Sequence, residues 1–251
     1  MPLMTSGSRL IRHKVTSFAP SDLANLAIWL KADAITGLAD DAFVATWTDS
    51  SGSGRNATQA GADSLKPKYK TGIINGLPVV RFDGGDYLSH SLIASDPIAL
   101  TMFIVGKKSS GVGSMIPWSH RSATTNLIQI TCENNTDIVF QLRGSGNSIQ
   151  QPTITGKTTT NASIITARFN KTGNLHQVWF NGGSVATNTT DFTGQNFIAS
   201  LETVGATNSG SYVAFYNGDI GEIIGYSVAV SDIDRGKVES YLAAKWGITL
   251  A

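Results

Sequence analysis

The chain has 251 residues, 41% of them hydrophobic and 15% charged, which excludes an intrinsically disordered polymer and leaves room for one large all-β domain or two small ones. Its 19 Lys+Arg against 18 Asp+Glu leave +1, so overall charge makes no case for nucleic-acid binding. Cys132 is the only cysteine, which excludes an intrachain disulfide and a cysteine-based metal cluster.

Residues 1–20 read as an N-terminal arm. Its charges are Arg9, Arg12 and Lys14, with Leu10, Ile11, Val15 and Phe18 as apolar anchors between them. The arm has no apolar stretch of the kind an export signal needs. No stretch of the chain reaches the roughly 18 apolar residues of a membrane helix, so neither export by the usual signal nor membrane insertion is expected. Pro20-Ser21-Asp22 gives a stop and a cap, which predicts a short helical turn over 21–26.

From Ala27 onward, short apolar runs alternate with turn clusters. AIWLKAD at 27–33 reads as a strand, and FVATWTDSSGSGRNAT at 43–58 as a strand entering a Gly/Ser loop. LPVVRFDGGDYLS at 77–89 places a strand before a tight turn. Residues 98–105 are apolar on both faces, which suits a central strand between two layers. LIQITC, DIVFQLR and SIITARF each alternate; in the second, Ile138, Phe140 and Leu142 share one face and Val139, Gln141 and Arg143 the other. LHQVWFNGGSVAT is a hairpin around Asn181-Gly182-Gly183. Strands at this spacing without helices between them predict a two-sheet antiparallel sandwich over one domain, residues 21–251.

The chain ends differently. Ser231 can cap a helix, Asp232 and Asp234 sit where the helix dipole favours negative charge, and Gly247 is placed to end it. Val238, Tyr241, Leu242 and Trp246 fall on one face. Gly236 inside the helix costs about 1 kcal/mol relative to Ala, so packing must hold it. A helical lid on the β-body, with Trp246 buried, is the expectation.

Taken in order, SDLANLAIWLKAD, VATWTDSSGSGRNATQ, KPKY, GLPVVRFDGGDYLS, VWFNGG and GDIGEIIGYSVAVSDIDRGKVESYLAAKWGI resemble the laminin G-like branch of the concanavalin A-like lectin/glucanase superfamily, over about 21–251. The resemblance implies a jelly-roll sandwich of two antiparallel sheets. Such domains occur in bacteriophage structural proteins and in bacterial surface proteins, and the fold hosts glycan binding, adhesion, glycoside hydrolysis and scaffolding, so function must come from a site.

Hydrolysis needs two carboxylates flanking the scissile bond. The glucanases of the superfamily carry E-x-D-x-x-E or E-x-D-x-E, and Glu133, Glu202, Glu222 and Glu239 fit neither spacing. Asp219 and Glu222 are three apart, so in a regular strand they point to opposite faces. No G-x-S-x-G accompanies His13, His90, His120 and His176, and Cys132 alternates with Ile128 and Ile130 as a buried thiol would. No catalytic residue and no cofactor are assigned. Asp83 and Asp86 on the Asp83-Gly84-Gly85-Asp86 turn offer hard oxygens for Ca²⁺, or else cap turn amides. For a glycan, Trp118 in MIPWSHRS, beside His120 and Arg121, is the most site-like aromatic, with core packing as the competing reading; Tyr212 is a further candidate. Trp29, Trp179 and Trp246 read as core.

These observations point to a non-catalytic bacteriophage virion protein: a head decoration, fibre or tail component. Its arm (Arg9, Leu10, Arg12, Lys14, Phe18) would dock other virion proteins or copies of itself, trimers included, and its body would adhere to host surface glycan. The alternative is a carbohydrate-binding module of a bacterial surface protein, located at the cell surface.

Overall fold

In the computed structural model, which describes residues 17–109, 113–122, 126–146, 148–157 and 159–251, the alternating segments become strands. In chain order the first six are β1 (Leu26–Lys31), β2 (Thr46–Trp47), β3 (Ala57–Thr58), β4 (Lys68–Ile74), β5 (Leu77–Asp83) and β6 (Leu88–His90). Then come β7 (Ala99–Lys108), β8 (Ser114–Arg121), β9 (Leu127–Glu133), β10 (Asp137–Arg143), β11 (Thr153–Ile154) and β12 (Ser163–Asn170). The last are β13 (His176–Phe180), β14 (Ser184–Asn188), β15 (Leu201–Val204), β16 (Thr207–Asn208), β17 (Tyr212–Val213) and β18 (Asn217–Tyr226), followed by the helix α1 (Asp232–Trp246).

The first sheet runs β14-β13-β12-β7-β18-β5-β4, with β1 also on β18; the second runs β11-β10-β9-β8-β15-β6-β3-β2. Every pairing is antiparallel. The expected two-sheet sandwich is therefore what the chain forms. A two-stranded ribbon, β16–β17, stands apart from both sheets.

Two apolar clusters make three layers. Between the sheets lie Trp47, Phe82, Met102, Ile104, Trp118, Phe140 and Ile223. On the other side of the first sheet, Phe103, Val105, Ile224 and Tyr226 meet Val238, Leu242 and Trp246 of α1. This explains why residues 98–105 are apolar throughout: even positions of β7 face the second sheet and odd positions face the helix.

α1 forms as its sequence dictates. Ser231 Oγ accepts the Asp234 N–H at 3.1 Å, and Gly247 ends the helix at φ +65°. The hairpin turn also forms, with Asn181 and Gly182 both at positive φ. The helical turn expected over 21–26 is shorter than predicted: a 3₁₀ turn covers only Pro20–Asp22, and Asn25 at φ +65° turns the chain directly into β1.

A register shift between Ile220 and Glu222 corrects the regular-strand expectation for β18. With Gly221 bulged, Asp219 and Glu222 both point to the helix side of the first sheet. Neither is placed for catalysis. Asp219 is held by Arg81 in a two-pronged ion pair at 2.6 and 2.9 Å. Glu222 is fully buried and accepts hydrogen bonds from Trp29, Tyr241, Lys245 and Trp246.

Candidate functional site

The outer face of the second sheet is polar across its width. Cross-strand register aligns Thr46, Thr58, Ser89, Thr203, Ser119, Gln129 and Gln141 in one row over seven strands. The neighbouring row is Leu201, Arg121, Leu127 and Arg143. Both rows follow from period-two alternation: Val204, Trp118, Ile128, Ile130, Phe140 and Leu142 take the inner positions of the same strands.

The β16–β17 ribbon covers the middle of the polar row. Thr207 Oγ1 lies 2.9 Å from Ser119 Oγ and donates to Gln129 Oε1 at 3.1 Å, while Thr203 Oγ1 donates to the Ala206 carbonyl. Gln129 donates its amide to Gln141. Beside this network the Tyr87 and Tyr212 rings stack, with centroids 3.6 Å apart and planes 21° from parallel. Both rings are half-buried.

At the other margin, Arg121 and Arg143 flank Leu127 on adjacent strands, about 10 Å apart by the sheet spacing. Burial and the positive charge of Arg143 hold the Arg121 guanidinium below its usual pKa. Arg121 Nε is buried and meets no hydrogen-bond partner among the described residues. The margin thus presents a partly desolvated cation beside a second one, next to the Gln129–Gln141 amides, with the aromatic stack on the far side of the polar row. Stacking surface, amides and fixed cations are the groups that recognise sugars and their carboxylates.

Two of the four glycan candidates belong here, Arg121 and Tyr212. The other two do not. Trp118 is 0% exposed and lies between the sheets. A register shift between Met115 and Trp118 breaks the alternation of β8 and turns this ring inward, so the core-packing reading is the one realised. His120 is also fully buried: its Nδ1 lies 2.8 Å from Glu202 Oε1, and its Nε2–H donates to the Phe197 carbonyl at 2.9 Å. His90 completes this buried group, 3.5 Å from the same carboxylate.

Asp83 and Asp86 cap backbone amides of their own turn. Asp83 Oδ1 accepts the Gly85 N–H and Asp86 Oδ2 accepts the Asp83 N–H, both at 2.9 Å. Burial pushes the Asp86 carboxyl up to about 6. Among the described residues no three His, Cys, Asp or Glu side chains come together to hold a metal. Cys132 is buried and its thiol is pushed up to about 12 by desolvation. Of the arm, Arg9, Leu10, Arg12 and Lys14 lie outside the described residues, and Phe18 packs partly buried against the helix-side cluster.

Tyr87, Gln129, Gln141 and Arg143 were not singled out as site residues. The signal for two of them is in the sequence: the alternation of DIVFQLR already sets Gln141 and Arg143 on the face opposite Phe140.

No protein-family model matches the chain, and no curated protein matches its sequence. Solved structures share its fold. The binding domain of botulinum neurotoxin DC, in complex with rat synaptotagmin II, aligns with a TM-score of 0.58 at 14% identity, over 89% of this chain and 52% of that one. The K499G mutant of NanB sialidase from Streptococcus pneumoniae aligns with a TM-score of 0.53 at 15% identity, over 62% and 26%. The IT-sialidase CBM40 of Ruminococcus gnavus bound to α2,6-sialyllactose aligns with a TM-score of 0.50 at 17% identity, over 57% and 83%. The chain has a concanavalin A-like fold: an all-β two-sheet antiparallel sandwich with one C-terminal helix. At these identities the likeness speaks for the fold alone.

Proposed function

We propose that this chain is a non-catalytic, lectin-like domain that binds a carboxylate-bearing glycan on the outer face of its second sheet. The observation that carries the reading is the Arg121–Arg143 pair flanking Leu127, on the same face as the Gln129–Gln141 amides and the Tyr87–Tyr212 stack. A sugar ring lies against the aromatic stack, the half-buried Gln141 amide bonds a hydroxyl, and guanidinium takes the glycan's carboxylate. The Ruminococcus gnavus relative, bound to sialyllactose, supports that ligand class.

Isothermal titration with α2,6-sialyllactose and with lactose tests it. The acidic sugar should bind and lactose should bind at least about tenfold more weakly, since a charge-assisted hydrogen bond is worth about 1.5–3 kcal/mol. Arg121→Ala should abolish the difference. Equal binding of the two sugars, or none by either, overturns the reading.

The setting is proposed separately. The three structures above are binding domains and a sialidase, and they favour a carbohydrate-binding module of a bacterial surface protein over the virion component suggested by the laminin G-like resemblance. Mass spectrometry of purified virions and of cell-surface fractions separates the two.

A further inference from the structure

Between the tyrosine stack and Arg121, the outer face of the second sheet holds an open hollow of about 380 Å³. Asn56, Thr58, Ser89, Ser91, Ser200 and Leu201 line it. Its place follows from strand register. Tyr87, Ser89 and Ser91 are spaced by two and share the outer face of β6 and its flanks. Thr58 lies across from Ser89, and Leu201 lies directly across from Arg121 on the β15–β8 ladder. His90 pairs with Glu202, so the next step along the same ladder sets Ser91 level with Leu201 and Arg121. The hollow therefore adjoins the stack along β6 and adjoins Arg121 through Leu201. Four residues along the strand and two strand spacings across separate Tyr87 from Arg121, about 16 Å of sheet. That is farther than one sugar ring spans.

We propose that this hollow is the middle subsite of the glycan surface and takes a neutral sugar unit, so that the ligand is an acidic oligosaccharide of at least three units. The inference deepens the function proposed above and rests on it. No charged side chain lines the hollow, and His90 gives it main chain alone, because its ring is fully buried against Glu202. The polar groups that remain are hydroxyls and one amide. The hydroxyls of Thr58, Ser91 and Ser200 meet no partner among the described residues, and Ser89 Oγ lies 3.5 Å from the Thr58 carbonyl. A hydroxyl both donates and accepts, which matches the paired roles of a sugar hydroxyl. Leu201 supplies apolar surface for the C–H side of the ring.

The walls are fixed before any ligand arrives. Asp49 accepts the N–H groups of Trp29, Ser51 and Arg55 at 2.9–3.0 Å and the Ser51 hydroxyl at 2.8 Å, which ties the Gly/Ser loop to β1. Asn56 Oδ1 in turn accepts the Asp49 N–H at 2.9 Å, so the Asn56 side chain is oriented and its NH₂ is left to donate. Arg55 joins this wall to the opposite one, donating to the Leu92 carbonyl at 3.1 Å and to the Ala27 carbonyl at 3.0 Å. A rigid wall lowers the ordering cost of binding.

Isothermal titration of the full chain with α2,6-sialyllactose and with free sialic acid tests the subsite. The trisaccharide should bind at least about tenfold more tightly, since it alone fills the hollow. Thr58→Val with Ser91→Ala removes two exposed hydroxyls and should weaken the trisaccharide about fivefold or more, while sialic acid stays within about twofold. Ser200→Leu, which fills the hollow from its rim, should act the same way. Equal affinity of the native chain for the two sugars, or full trisaccharide affinity in both variants, overturns the subsite and leaves the acidic-glycan reading standing. Equal weakening of both sugars in the variants overturns it too, because the acidic unit would then occupy the hollow. Binding of neither sugar by the native chain overturns the acidic-glycan reading itself, and the subsite with it.

Discussion

Trp246 donates its indole N–H to Glu222 Oε2 at 2.8 Å, and the Gly221 bulge that turns Glu222 outward also brings the Trp246 ring over bare backbone. A Cβ at Gly221 would sit 2.6 Å from Trp246 Cη2. Helix and sheet are thus joined by one carboxylate that also takes the Trp29 indole, the Tyr241 hydroxyl and Lys245. Tyr241 pays for this with a strongly raised pKa, from burial first and from Glu222 second.

Removing one partner from a buried charge network leaves the others uncompensated. Glu222→Leu should therefore destabilise the fold by about 3–5 kcal/mol. Trp246→Ala should cost about 3–5 kcal/mol through the cavity it leaves, and Gly221→Ala about 1–3 kcal/mol through overpacking. Urea denaturation measures all three. A loss under about 1 kcal/mol in the first two would show that α1 is not locked to the sheet by this contact.

The pH dependence of Asp86 has a definite sign. Burial raises its carboxyl from 3.8 to about 6. Between those values the folded chain holds a proton that the unfolded chain has released, so stability falls as pH rises through the window and falls no further above it. His90 and His176 work in the opposite direction: burial holds both below their usual value, so the unfolded chain takes up protons that the folded chain refuses, and stability falls as pH drops below about 6.5. The difference between Asp86→Asn and the native chain isolates the first effect, since the amide oxygen can still accept the Asp83 N–H. Melting-temperature difference, variant minus native, should grow from pH 4 to 6 and then level. A difference that is constant with pH would mean that Asp86 ionises as freely folded as unfolded.

The same turn makes a prediction about calcium. Asp83 and Asp86 each spend an oxygen on a backbone amide, and no third acidic or imidazole ligand joins them among the described residues. EDTA should leave the melting temperature unchanged. A drop of several degrees, abolished by Asp86→Ala, would show a bound ion, since a ligand of the folded state stabilises by RT ln(1+[L]/Kd).

Much of the fold was legible because burial imposes a period. Ile138, Phe140 and Leu142 declare their face, residues 98–105 declare two covered faces, and Ser231 and Gly247 mark the ends of the helix. The site was less legible, for three physical reasons. Bulges shift the period without leaving a sequence mark, which hid the inward turn of Trp118 and the outward turn of Glu222. Buried polar groups look like site residues until their partners are known, and the partner of His120 is Glu202 on another strand. The Tyr87–Tyr212 stack joins the residue just before β6 to a separate ribbon, a pairing that neither segment encodes alone.

That stack gives the sharpest test of the proposed glycan surface. Tyr212 is pinned by Tyr87 on one ring face, and burial followed by the neighbouring Tyr87 raises its hydroxyl pKa. The ring face turned away from Tyr87 is the surface the proposal offers to a sugar. Tyr212→Phe keeps the ring and should keep sialyllactose affinity within about twofold. Tyr212→Ala removes it and should weaken binding by about three- to tenfold, the size of an aromatic contact of about 0.5–1.5 kcal/mol. Because the ribbon also covers Ser119 and Gln129, the alanine variant needs a control for local collapse. Thr207→Val serves: it breaks the Ser119 and Gln129 contacts beneath the ribbon and leaves both rings in place. If Thr207→Val weakens binding as much as Tyr212→Ala does, the ribbon acts as a structural cover and the rings are not the sugar platform. If Tyr212→Ala alone weakens it, sugar lies on the stack, and Arg121→Lys should then lose the preference for the acidic glycan while sparing lactose, because a point-charged ammonium cannot reproduce the two-pronged guanidinium contact with a carboxylate.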